Sequence, residues 1–154
     1  MFQVTRRVDY AMRMMIELGQ LDPGDSLSAR EMSRKTAVPK AFLHKITSDL
    51  VKADLVRTFA GVQGGVALAK PAKQISLLHV VEAVEGKFCI NSCLIRPQEC
   101  PRDLICPAHT LWGSLQNTLI GELSRITISE LAISARQLKE NPQRFPHTPY
   151  LSVI

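Results

Sequence analysis

Cysteine is missing from this chain everywhere except one eighteen-residue window, Cys89 to Cys106, and the four cysteines there form no Cys-x-x-Cys pair. The missing pair argues against a zinc ribbon or finger. No apolar run approaches the roughly 18 residues of a membrane-spanning helix, and no internal repeat is visible. The four histidines, His44, His79, His109 and His147, are scattered, with no nucleophile-and-base motif around them, so an enzyme is not expected. Met1 leads straight toward Arg6 and Arg7 without an apolar signal region, which gives a cytoplasmic protein as the expectation. In that reducing compartment clustered thiols read as metal ligands or redox sensors rather than as a disulfide framework.

Acidic residues are also short in the first half. Residues 1–73 hold 12 Lys or Arg against 7 Asp or Glu, whereas residues 74–154 hold 7 of each. The formal excess of +5 is thus N-terminal, and a basic half joined to a neutral, cysteine-bearing half suggests a polyanion reader coupled to a sensing or assembly segment.

Hydrophobic spacing then gives the elements. Val4, Val8, Ala11, Met12, Met15 and Ile16 recur at helical intervals, and the cluster Asp22-Pro23-Gly24-Asp25 ends that helix. Ser28 and Glu31 form a capping box for a second helix reaching about Ala37, and Pro39 opens a third whose apolar side is Phe42, Leu43, Ile46 and Leu50. Two short helices across a tight turn make a helix-turn-helix. Leu55 to Phe59 and Val66 to Leu68, separated by a Gly-rich stretch, read as a β-hairpin wing. Ile75 to Val84 form a further helix ending at Gly86. From Ala108 the positions Leu111, Trp112, Leu115, Leu119, Leu123 and Ile126 give one long stripe, and Thr127 with Glu130 caps another helix.

The expected fold is therefore mainly α with a small β-hairpin wing: a winged helix-turn-helix DNA-binding domain over 1–86, a loop over 87–107, a long C-terminal dimerisation helix and its successor over 108–139, and an irregular tail over 140–154. The apolar stripe needs cover, and pairing with a second copy supplies it, as two-fold readers of palindromic double-stranded DNA require. Lys40, His44 and Lys45 stand where a recognition helix meets base edges and phosphates. Ser28 opens the preceding helix, and Gly64 and Gly65 lie where the wing backbone approaches something closely; these join the candidate DNA contacts. In the loop, Cys89, Cys93, Cys100, Cys106 and His109 are five candidate ligands, one of them a spare, and thiolates with an imidazole favour an iron-sulfur centre.

These residues resemble the Rrf2 family of bacterial winged-helix regulators over roughly residues 1 to 139. Val38-Pro39-Lys40-Ala41-Phe42-Leu43 with Leu50, Leu55 and Val56 is similar to its recognition helix, Gly64-Gly65-Val66 with Leu68-Ala69 to its wing, Val81 to Gly86 to its fourth helix, and Cys106-Pro107-Ala108-His109 with Leu111-Trp112 to its loop exit. The resemblance implies that Cys93, Cys100 and Cys106 hold a 2Fe-2S or 4Fe-4S cluster, with Cys89 as the extra thiol. In one branch of the family a histidine at the position of His109 completes the centre. In another the fourth ligand is a first-helix carboxylate, here Asp9 of the partner subunit. The interval from Cys93 to Cys100 is one residue longer than in the first branch. The arginine that commonly precedes the first wing glycine is Ala60 here, which leaves Arg57 and Gln63 as wing candidates.

The implied function is a homodimeric transcriptional repressor whose operator binding follows an iron-sulfur cluster sensing redox state, nitric oxide or iron-sulfur status. The alternative of the same architecture is a metal-free thiol sensor in which Cys89 and a neighbour oxidise reversibly.

Overall fold

The computed structural model describes residues 3–61 and 64–142. Helix α1 (Arg6–Gly19) begins at Thr5, whose hydroxyl accepts the Val8 amide at 3.2 Å. The interval between its apolar positions puts Ala11, Met14, Met15 and Leu18 on one buried face. Val4, counted by periodicity as part of this face, precedes the helix and is exposed. Gln20 then ends α1, and Asp22 to Asp25 turn the chain with Gly24 at a φ of 100°.

Helix α2 (Ala29–Thr36) carries the capping box: the Ser28 hydroxyl accepts the Glu31 amide, and the Ser28 amide donates to the Glu31 carboxylate at 3.0 Å. The turn that follows is made without glycine. Ala37 takes the left-handed conformation at a φ of 56°. Side chains from α2 satisfy the backbone around it: the Thr36 hydroxyl accepts the Val38 amide, and the Ser33 hydroxyl donates to the Val38 carbonyl at 2.9 Å. Val38, wholly buried, pins the corner. Pro39 then caps α3 (Lys40–Lys52), which buries Leu43, Ile46 and Leu50. Phe42 lies at the rim of that face, partly exposed, with its ring edge-on to Tyr10 at 5.2 Å between centroids.

Strands β1 (Val56–Thr58) and β2 (Val66–Leu68) pair antiparallel with Arg57 opposite Ala67. Phe59 and Gly65 extend the ladder by exchanging two backbone bonds, at 2.9 and 3.1 Å. Leu27 bonds Val66 in both directions and so lays the segment before α2 along the wing. That is why Gly65 has no side chain: a Cβ there would stand 2.5 Å from the Leu27 carbonyl oxygen.

Helix α4 (Leu77–Glu85) starts with a third box, Ser76 and His79, in which the imidazole Nδ1 accepts the Ser76 amide at 3.1 Å. After Gly86 the loop runs through three short 3-10 turns, Ser92–Leu94, Pro97–Glu99 and Asp103–Ile105, into α5 (Pro107–Arg125). Helix α6 (Ile128–Glu140), capped by Thr127 and Glu130 as expected, does not continue alongside α5. It returns to α1, and backbone bonds from Leu77 to Ile126 and from Ile128 to Ile75 tie its start to the start of α4. Ile128 is wholly buried there. The long helix α5 buries none of its residues fully, and Leu111, Leu115 and Leu119 remain exposed. Of the tail, residues 143–154, including His147, lie outside the described residues, and so does Gln63 of the wing.

The α1 to α6 contact is close. A Cβ on Gly19 would fall 2.9 Å from Ile128 Cγ2 and 3.2 Å from Ala132 Cβ. Gly19→Val therefore overpacks the contact and should destabilise the fold by about 1–3 kcal/mol, read as a lower urea midpoint with an unchanged slope.

Candidate functional site

The helix-turn-helix and the wing present one surface. Lys40, His44 and Lys45 are all exposed on the N-terminal half of α3. A groove of about 530 Å³ separates α3 from the wing, with His44, Thr47 and Ser48 on one bank and Thr58, Phe59 and Gly64 on the other. Periodicity places Ser48 on the outward side of the third helix, whereas neither charge nor periodicity singles out the hydroxyls of Thr47 and Thr58. Arg57 projects from β1 and lays its guanidinium over the exposed ring of Phe59, 5.5 Å from the centroid. Such a stack restrains a long cation at little cost in hydration. Ser28 is occupied locally, its hydroxyl donating to Glu31 at 2.7 Å. Gly64 closes the hairpin on itself, because a Cβ there would lie 2.3 Å from the Phe59 carbonyl oxygen. The close approach that both wing glycines permit is thus to the chain's own backbone.

The cysteine loop forms the second site. Cys93, Cys100, Cys106 and His109 come together on one cleft of about 410 Å³, closed on the helix side by Trp112 of α5. Cys89 does not line it, and its thiol donates instead to the Asn91 carbonyl at 2.8 Å. Asp9 is also elsewhere, paired with Arg13 on α1 at 2.7 Å. Partial burial, and after it the neighbouring sulfurs of Cys100 and Cys106, hold the Cys93 thiol above its ordinary pKa. Among the described residues no three His, Cys, Asp or Glu side chains surround one point closely enough to hold a metal ion.

The loop is held by its own turns and by the two helices beside it. Each 3-10 turn closes its own backbone bonds, Asn91 caps the first, and the Gln116 side chain of α5 accepts the Ile90 amide at 3.1 Å. The Phe88 amide donates to Glu82 of α4. Glu85, on the same helix, stands 3.6 Å from the Arg7 guanidinium, whose other nitrogen donates to Asp49 of α3 at 2.8 Å. Side-chain contacts thus run from the loop base through α4 and α1 to α3.

Known proteins bear out this architecture. The model of the Rrf2 family, described as an iron-dependent transcriptional regulator, matches residues 4–133. The chain belongs to the Rrf2 family. Among relatives, the regulator IscR of Photobacterium profundum is 27% identical over 84% of this chain and 74% of its own length. The regulator NsrR of Oceanobacillus iheyensis is 27% identical over 84% of this chain and 89% of its own. The solved structure of CymR, the global cysteine regulator of B. subtilis, superposes with a TM-score of 0.67 at 19% identity, covering 87% of this chain and 98% of CymR. This Rrf2 chain is accordingly a winged-helix, DNA-binding transcriptional regulator and not an enzyme. No helix among the described residues is long and apolar enough to cross a membrane.

The capping box that opens α2 sets a pH dependence. Bonds from the Ser28 hydroxyl, and then from its amide, hold the Glu31 carboxyl below its usual range. A carboxyl with a lowered folded pKa contributes stability above its unfolded value, roughly 4.3, and that contribution disappears as pH falls through the folded value. Glu31→Ala should therefore lower the melting temperature at neutral pH and leave it unchanged near about pH 2, where the parent has lost the cap as well.

Proposed function

We propose that this regulator is a homodimeric repressor whose hold on a palindromic operator is set by an iron-sulfur cluster bound by Cys93, Cys100, Cys106 and His109. The observation that carries the reading is the convergence of those four side chains on one cleft that Cys89 does not line. The donor set also fits the group. A polynuclear centre takes its ligands on different iron atoms, so it needs a cleft ringed by separate thiols rather than a single point of convergence. The raised Cys93 thiol fits too, because burial first and the neighbouring sulfurs second disfavour a bare thiolate there, and a bound cation would offset both. When bound, the cluster would supply a redox-active charge that oxidants and nitric oxide can remove.

The protein's part is mechanical. Cys93 lies within the first 3-10 turn and Cys100 and Cys106 close the second and third, so ligation at all three fixes the relative placement of those turns. Glu82 and Gln116 fasten the loop base to α4 and α5, and Arg7 links α4 to Asp49 on α3. Loss of the ligated arrangement would release α5 on one side and the recognition helix on the other. Leu111, Leu115 and Leu119 of α5 pair with a second copy, which sets two α3 helices about one turn of DNA, or a multiple of it, apart. Lys40, His44 and Lys45 meet bases and phosphates of the major groove, and Arg57 of the wing approaches the neighbouring DNA backbone.

Protein purified or reconstituted without oxygen should carry iron and acid-labile sulfide and absorb in the visible. Cys100→Ala should lose both while keeping its helical circular dichroism. A parent chain with neither iron nor sulfide after reconstitution would falsify the proposal; a colourless chain whose DNA affinity still tracks oxidant would point to a thiol sensor instead. For the reading head, Lys45→Ala should weaken binding to a duplex selected from random sequence and reduce the slope of log affinity against log salt by about 0.9, the share of one phosphate contact. An unchanged slope places Lys45 off the DNA.

A further inference from the structure

We propose that Asp103 is a positioning residue that presents His109 to the cluster site with its proton on Nδ1 and its free lone pair on Nε2. The inference rests on the cluster reading above and makes His109, rather than Asp9 or Cys89, the fourth donor. Asp103 Oδ1 and His109 Nδ1 approach to 2.6 Å. Both atoms are buried, and neither has an aligned hydrogen-bond partner. An ionised carboxylate only accepts, so a proton held at this contact belongs to the imidazole. The contact fixes which nitrogen carries it.

Placement gives the contact its direction. His109 lines the thiol cleft, whereas Asp103 lines a separate cleft with Leu104 and Pro101, and Cys100 borders both. The imidazole therefore bounds the thiols while its Nδ1 meets a carboxylate that belongs to another surface. Two backbone bonds hold the pair to proposed ligands: the Asp103 amide donates to the Cys100 carbonyl at 3.1 Å, and the His109 amide to the Cys106 carbonyl at 3.2 Å. Asp103 opens the last 3-10 turn and His109 is in the first turn of α5, so the fold of the loop itself brings the two together. A carboxylate behind a ligating histidine selects the tautomer and raises the basicity of the nitrogen that faces the metal. Asp9 would have to come from a partner subunit and give up its pairing with Arg13 on α1.

The test uses the full chain in two states. In reduced, chelator-treated protein labelled with 15N in histidine, at about pH 8 where an ordinary imidazole is neutral, long-range 1H–15N correlation should show His109 protonated on Nδ1. His109→Gln assigns the signals. Asp103→Leu, which has no acceptor, should shift His109 toward the Nε2-protonated form, and Asp103→Asn, which keeps one, should largely preserve the original tautomer. After anaerobic reconstitution, Asp103→Leu should show an altered visible spectrum and lose iron to a chelator roughly 10- to 100-fold faster, with Asp103→Asn closer to the parent. A parent chain that loads iron and sulfide normally but protonates His109 on Nε2 overturns the role of Asp103. So does an Asp103→Leu protein with the parent's tautomer and lability. A parent chain that takes up neither iron nor sulfide overturns the cluster reading itself, and this role with it, whichever tautomer is found. If Asp103→Leu does not fold, the parent tautomer and the lability of Asp103→Asn decide the matter.

Discussion

One helix face organises the molecule: α1 offers Ala11, Met14, Met15 and Leu18 to nearly everything else that packs. Helices α2, α3, α4 and α6 and the second wing strand all reach it. A face shared by so many partners must accept differently shaped neighbours, and two adjacent methionines suit that task because an unbranched thioether side chain fills irregular gaps. At the C-terminal end of α1 the packing becomes polar. Glu17, almost buried, binds Lys35 of α2 at 3.2 Å and Lys139 of α6 at 3.3 Å, and it also accepts from Gln20. A carboxylate so far from water is tolerable only with such partners around it. Just beyond it Gly19 lets Ile128 in. The reading head and the last helix are thereby joined at one end of α1.

The other end of α1 is joined as well, by different chemistry. Thr5 and Arg7 both reach Glu85 on α4, and Arg7 reaches Asp49 on α3. These charges are partly exposed, so each pair is worth little as stability. Their value is geometric. A guanidinium that meets two carboxylates from two helices fixes the angle between them more than it deepens the folded state. Since α4 carries both Glu85 and the Glu82 that holds Phe88, the start of the cysteine loop and the C-terminal half of α3 share a single rigid support. A change in the loop does not need to cross a hydrophobic core to be felt by α3.

Most of this architecture was legible because its signals are local. The boxes Ser28 with Glu31 and Thr127 with Glu130 announce helix starts from four residues, and both formed as expected. The box at Ser76 was missed for a physical reason: its third residue is His79, whose ring nitrogen does the work that a Glu or Gln carboxyl usually does. Val4 failed because periodicity does not know where Thr5 stops the helix, and Phe42 because the face that buries Leu43 is narrower than an apolar count suggests. The loop was legible only as composition. Four cysteines at intervals of three, six and five residues leave every choice of three ligands open. The choice depends on 3-10 turns of three residues each, which no spacing rule foresees, and the same turns bring Asp103 against His109. The return of α6 to α1 was also invisible, because it rests on the lack of a side chain at Gly19, and a glycine in a helix more often signals an end than a contact.

In the proposed reading, α5 brings the cysteine loop and the pairing surface onto one helix. Positions His109, Trp112, Gly113 and Gln116 lie on the side that meets the loop, where a Cβ on Gly113 would stand 3.8 Å from the Leu94 side chain and Gln116 holds Ile90. Leu111, Leu115 and Leu119, spaced by four, form an exposed row that runs beside that face. Such a line of half-exposed leucines is a cost in water at roughly 25 cal/mol for each Å² of apolar surface, and the proposed second copy would remove it. Because α5 has no fully buried residue of its own, its orientation is set by what lies on either side and not by a core. Any rearrangement that loosens the loop side must then be compensated on the pairing side, or the helix turns. In a two-fold reader such a turn is applied twice and in opposite senses, so a small rotation of α5 becomes a larger change in the distance between the two recognition helices. That amplification is what a regulator would gain from a cysteine loop resting against the helix proposed to pair rather than against the helix that reads.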